Sequence, residues 1–261
     1  MIGLVAAFAG ALLLGGTPHG DLVDSAPWAA VLAANVKDGR VDYAGLKGNR
    51  DKLDAYVKAV GALPRADFDK GSKGARIAYL VNAYNAFVLE SVIDGYPKPV
   101  KDKGGLFGGK GNSIRQIKGV FDRQKHKTAL GDMTLDQIEK DALLGGFGEP
   151  IVLVALCEGA VGSAPLRAEP YFADKVLEQL EDQARNFMLS PAGLVVSGDS
   201  IKVSTLFKTN AKEFEKKYGK ALSFVEKYSA DEQRPRVTLA ISNGRTGFLD
   251  FDWTLNEQEK K

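Results

Sequence analysis

The chain has 261 residues, with 35 Lys plus Arg against 33 Asp plus Glu, a formal charge of +2 at pH 7. That near-balance argues against the basic footprint of a nucleic-acid binder, and 44% hydrophobic with 26% charged residues excludes an intrinsically disordered chain. One cysteine, Cys157, excludes an intrachain disulfide, and with only His19 and His126 a Cys/His zinc cage fails on ligand count.

Residues Ile2 to Gly16 form an apolar and small-residue run, shorter than the roughly twenty residues of a spanning helix. A Gly-Thr-Pro-His-Gly breaker follows, so the run reads as the core of a secretory signal peptide, although no Lys or Arg precedes it. An uncleaved tether and a buried N-terminal helix are the alternatives. Residues 1–20 are thus expected to be a signal peptide or tether and 21–261 a single domain, exported to the periplasm or secreted. Membrane contact would come only through an uncleaved N-terminus, and His19 would lie in a trimmed or frayed segment.

SAPWAAVLAAN predicts a helix over Ser25 to Asn35, with Ser25 as its cap and Pro27 in its first turn. Asp38-Gly39 then marks a turn between two short extended pieces of VKDGRVDYAGL. Leu53, Tyr56, Val57, Val60 and Leu63 recur at helical spacing before Pro64. Ser72 to Asp94 carries the longest apolar helical pattern, buried on more than one side. Tyr96-Pro97 ends it, and the following Gly- and Lys-rich stretch reads as a loop. Gly104 and Gly109-Lys110 have phosphate-loop spacing, but Gly111 stands where Ser or Thr is required and no strand precedes them, so the motif fails.

Thr134 with Gln137 three residues on predicts a capping box and a new helix, ended by Gly145-Gly146. IVLVAL (151–156) is short, continuous and β-branched, and reads as a strand buried on both faces. A helix from Tyr171 to Leu189, a hairpin turning at Gly198-Asp199, helical patterns over Asn210 to Tyr228 and two strands, RVTLAI and GFLDFDW, complete the chain. The expected class is α+β: one domain, helix-rich in its first half and rich in antiparallel strands in its second.

Asn82, Tyr84 and Asn85 stand inside the most apolar helix. Buried amides left without partners cost about 1–3 kcal/mol each, so these are expected to clamp a neighbouring loop's backbone in preference to a ligand. CEGAVGSAPLR (157–167) is the best functional segment, because small residues such as Gly159 and Gly162 let backbone N–H groups approach a ligand or oxyanion. Arg167 closes it. Ser163 is a nucleophile only if a base takes its proton, with Glu158 or His126 as candidates. Cys157 reads as a core residue. Asp250 and Asp252 share a face of the last predicted strand, with no companion ligands at metal-binding spacing. No cofactor or metal is expected.

Four stretches, KDGRVDYAGL (37–46), RIAYLVNAYNAFVLESV (76–92), MTLDQIEKDAL with Gly-Glu-Pro (133–150) and VLVALCEGAVGSAPLRAEPY (152–171), supported by FDWTLN, resemble the bacterial and plant domain of unknown function numbered 547. The resemblance implies export and a rearranged cysteine-peptidase or transglutaminase-like α+β fold. It also implies a His where this chain has Leu153, cysteines where it has Glu158 and Ser163, Pro where it has Ala164 and Trp where it has Leu80. A cysteine nucleophile needs its thiolate and normally a nearby imidazole. Cys157, on a strand, would face away from its neighbour's position. The leading expectation is therefore a noncatalytic binding domain for a peptide-like or small-molecule ligand. A Ser163-dependent hydrolase or acyl transferase and an envelope scaffold are the alternatives.

Overall fold

A computed structural model describes residues 17–96 and 112–259. The N-terminal apolar run and the Gly/Lys-rich loop up to Gly111 lie outside the described residues. Pro27 sits in the first turn of α1 (Ala26–Asn35) and Ser25 holds its N-cap position, but without a side-chain capping bond: the Ser25 hydroxyl turns back to Asp21, and Asp24 Oδ1 accepts from the Ala26 N–H at 3.0 Å. The His19 ring lies tilted against Phe172, centroids 4.4 Å apart, with its Nδ1 3.0 Å from Asp174 Oδ2.

Val36–Lys37 (β1) and Arg40–Val41 (β2) form the hairpin that Asp38-Gly39 announces, with both turn residues at positive φ, 51° and 76°. The extended reading stops there, since YAGL belongs to α2 (Tyr43–Gly48), capped by Asp42. α3 (Asp51–Ala62) and α4 (Arg65–Lys70) follow, and α5 (Lys73–Gly95), capped by Ser72, runs through the core with seventeen buried residues. Such a helix is held by packing on several neighbours, here α2, α3 and α7 (Val176–Leu189), more than by propensity.

The sequence signals passed over a hairpin of β3 (His126–Thr128) and β4 (Gly131–Met133), which lies against α3. Thr134 and Gln137 do form a reciprocal capping box on α6 (Leu135–Gln137), which continues as a π-helical stretch over Ile138–Gly145. IVLVAL is not a strand. Pro150–Ala155 is a 3-10 helix with every residue buried, packed on α7. Periodicity cannot distinguish a short buried helix from a strand in so short an apolar run, and Pro150 at the first turn favours the helix.

α7 begins five residues after Tyr171, because Asn82 and Asp21 hold residues 171–173 by their backbone. β5 (Leu194–Ser197) and β6 (Ser200–Val203) form the expected hairpin. A one-turn helix, α8 (Leu206–Thr209), precedes the predicted helical region, which α9 (Ala211–Tyr218) and α10 (Ser223–Tyr228) occupy. RVTLAI, expected as a strand, lies in α11 (Arg234–Ser242), where Val237 and Ala240 bury one face at helical spacing. GFLDFDW contributes only the end of β7 (Thr246–Phe248), which pairs in parallel with β6, so Asp250 and Asp252 lie beyond the strand. Helices hold 54% of the described residues and strands 11%, so the class is α+β while the second half is not dominated by strands. Among the described residues, no helix is long and apolar enough to cross a membrane.

Candidate functional site

The two asparagines of α5 organise the 155–171 segment. Asn82 Nδ2 donates to the Tyr171 carbonyl at 2.7 Å, and its Oδ1 accepts from the Tyr171 N–H at 2.9 Å and from Trp28 Nε1 at 3.3 Å. Asn85 repeats the grip one turn later, donating to the Ala155 carbonyl at 2.9 Å and accepting from the Cys157 N–H at 2.8 Å. Each amide thus satisfies one buried peptide donor and one acceptor, which a loop crossing a core helix must otherwise leave unpaired.

Beyond Cys157 the chain turns at Gly159, whose φ of +69° suits glycine, and crosses the C-terminal segment at Gly162. A Cβ on Gly162 would stand 2.6 Å from the Asp252 nitrogen, so only glycine permits this approach. The turn's amides are not free. Val161 N–H donates to the Thr254 carbonyl at 2.8 Å, Gly162 N–H to Asp252 at 2.9 Å and Ser163 N–H to Ala160 at 3.2 Å. The small-residue turn proposed as an oxyanion cradle is therefore filled by residues 252–254 of its own chain.

Ser163 is buried, and its hydroxyl donates to the Ala160 carbonyl at 2.8 Å. The facing side chain is Cys157, with Sγ 3.8 Å from Oγ. Without a strand at 151–156, the alternation that would turn Cys157 away does not apply. Asn256, which the sequence reading passed over, donates from Nδ2 to this sulfur at 3.3 Å and accepts from Tyr43 Oη at 2.6 Å. FDWTLN was the available signal for it. Burial pushes the Cys157 thiol up to about 11, so it stays protonated at neutral pH.

The two candidate bases lie elsewhere. Glu158 makes no hydrogen bond to Ser163; it faces Glu139 and Asp136 on the α6 and π-helical stretch, beside buried Tyr84. Desolvation, with added repulsion from Glu139 and then Asp136, pushes its carboxyl up to about 7, while Lys140 opposes the shift. His126 stacks on Phe87 at 4.4 Å, with Nδ1 3.7 Å from Glu90 Oε2. Phe87 and Glu90 lie on the order of 140° around α5 from Asn82 and Asn85, given 3.6 residues per turn. Arg167 is bound to Glu169 and Asp182 and is mostly buried, so its charge is already committed within the fold.

Beside the turn opens a cleft of about 210 Å³, bounded by Val161, Gly162, Thr205, Asp250, Phe251 and Asp252. Both aspartates are exposed, and Asp252 also accepts the Thr254 N–H at 2.9 Å. No group of three or more His, Cys, Asp or Glu side chains placed to hold a metal occurs among the described residues.

No curated protein and no solved structure matches the chain. Residues 68–188, which include both clamping asparagines, the π-helical stretch, the Cys157–Ser163 turn and α7, match the family described as "Protein of unknown function, DUF547". Over that stretch, the chain carries the DUF547 family match.

Proposed function

We propose that this chain is an exported, noncatalytic binding domain whose peptide-like or small-molecule ligand occupies the cleft beside the 161–162 turn. The observation that carries the reading is the set of neighbours of Ser163 Oγ: the Ala160 and Ala164 carbonyls and a protonated thiol. Neither carbonyl takes up a proton at neutral pH, so the hydroxyl has no route to an alkoxide. The Val161 and Gly162 N–H groups of the same turn are taken by residues 252–254 and that of Ser163 by Ala160, which withdraws these three from stabilising an oxyanion. A cleft with Phe251 on one wall and two carboxylates at its rim suits a ligand that joins an apolar part to an amine, as a lysine-containing peptide does. Export rests on the Ile2 to Gly16 run, and descent from a cysteine hydrolase rests on the family resemblance.

The purified protein is expected to give no covalent adduct with a fluorophosphonate serine probe and to bind trilysine by calorimetry, with the affinity lost in the Asp250→Asn/Asp252→Asn variant. Probe labelling abolished by Ser163→Ala would overturn the noncatalytic reading. Trilysine binding unchanged in the double variant would remove the cleft from it.

A further inference from the structure

We propose that a second cleft, over His126 on the other side of α5, binds a small organic anion with an apolar body. Gly61 allows the β3–β4 hairpin to lie close on α3, since a Cβ there would meet Lys127 Cβ at 2.9 Å. The seam between them opens into a cleft of about 380 Å³. Val57 and Phe87 contribute apolar wall, and Lys58, Lys125 and Lys127 contribute three cations against the single carboxylate of Glu90. Among the described residues, no carboxylate lies within salt-bridge distance of any of these lysines, whereas Lys73 and Lys217 both reach Glu149 at 2.9 Å.

The floor is unsatisfied as well. His126 has a side chain 9% exposed, its Nε2 is buried without a partner, and its Nδ1 stands 3.7 Å from Glu90, beyond hydrogen-bonding distance. Arg76 Nε, Arg167 Nε, Tyr171 Oη and Thr246 Oγ1 are likewise buried without a partner, but His126 is the one of these that lines a cleft carrying unpaired lysines, and that combination of free cations over an unpaired imidazole marks a place for a polar partner from outside. An anion fits this lining: its charged head meets the lysine ammoniums above the imidazole, and its apolar body lies along Val57 and the lysine stems. The walls carry no Arg to grip a phosphate bidentately, and Glu90 opposes a multiply charged head, so a monocarboxylate fits better than phosphate.

The intact protein is titrated with benzoate, inorganic phosphate and benzylamine while the His126 imidazole is followed by NMR; the chain has just one other imidazole, His19. Benzoate is expected to shift the His126 resonances and leave His19 in place, and phosphate and benzylamine to shift neither. The Lys125→Glu/Lys127→Glu variant, altered at two exposed positions, is expected to weaken benzoate at least about tenfold. Lys58→Glu provides an independent variant on α3 with the same expected direction. An unmoved His126 at saturating benzoate, an equal response to benzylamine or to phosphate, or unchanged affinity in both variants would overturn the proposal. The cleft beside the 161–162 turn shares none of these residues, so either site stands or falls without the other.

Discussion

The two sides of α5 differ in how the side chains that face the helix are paired. Toward the 155–171 segment, Asn82 and Asn85 each pair with both a donor and an acceptor of the crossing backbone and Asn256 donates to the Cys157 sulfur, leaving only Arg167 Nε and Tyr171 Oη of that segment buried without a partner. Toward the β3–β4 hairpin, His126 is nearly as buried and has neither ring nitrogen hydrogen-bonded. The first arrangement is what a fold needs to bury irregular chain; the second leaves polar groups unmatched at the edge of an open cleft. Candidate chemistry read from residue types alone favoured the closed side, because Ser, Cys and small residues cluster there. Pairing, which only the structure reveals, draws attention to a second cleft on the other side as well.

The largest test of this contrast is Asn85→Ala. It strands the Ala155 carbonyl and the Cys157 N–H inside the core, and we expect a loss of about 2–5 kcal/mol in urea denaturation. A loss under about 1 kcal/mol would mean that the closed side is not held by these amides. Gly162→Ala is expected to cost about 1–3 kcal/mol, because the added methyl forces the turn off residues 252–254. Trp253, next to that contact and half-buried, should report the separation as a fluorescence change, whereas buried Trp28 should not.

Glu158 gives the closed side a pH dependence. Its folded carboxyl titrates near 7 against an ordinary 4.5, so the neutral form is favoured by folding. That contribution is complete below about pH 4.5 and disappears as pH rises through about 7, so stability should fall by on the order of 1–3 kcal/mol across this window. Glu158→Gln should remove the fall and leave the variant more stable than the parent at pH 8. A parallel pH profile for both proteins would assign the titration elsewhere.

The smallest expected effect is that of Ser163→Ala, about 0.5–1 kcal/mol, since the Ala160 carbonyl keeps the Ser163 N–H when the hydroxyl is gone. Cys157 in the same protein should resist iodoacetamide until the chain is unfolded, because the thiol is buried and pushed up to about 11. Rapid alkylation of the native protein would mean that the C-terminal cover opens readily.

Local signals in the sequence determined a good part of the fold. Asp38-Gly39 required a turn because both residues take positive φ; Thr134 and Gln137 made their capping box; Ser72 capped the long apolar helix. These outcomes depend on residues within a few positions of each other, so spacing carries them. IVLVAL and RVTLAI became helices because β-branched runs have no strong choice of their own, and their neighbours, α7 for the one and β6 for the other, decided it. The candidate site divides in the same way. That α5 would bury its asparagines against another segment's backbone was legible from amides set in an apolar pattern, but their partners at 155, 157 and 171 were not. The approach of Cys157 to Ser163, the cover laid by residues 252–256 and the separation of His126 from both join parts of the chain distant in sequence. No local pattern encodes such contacts, because they follow from how α5 is surrounded on all sides by elements that meet only once the core has formed.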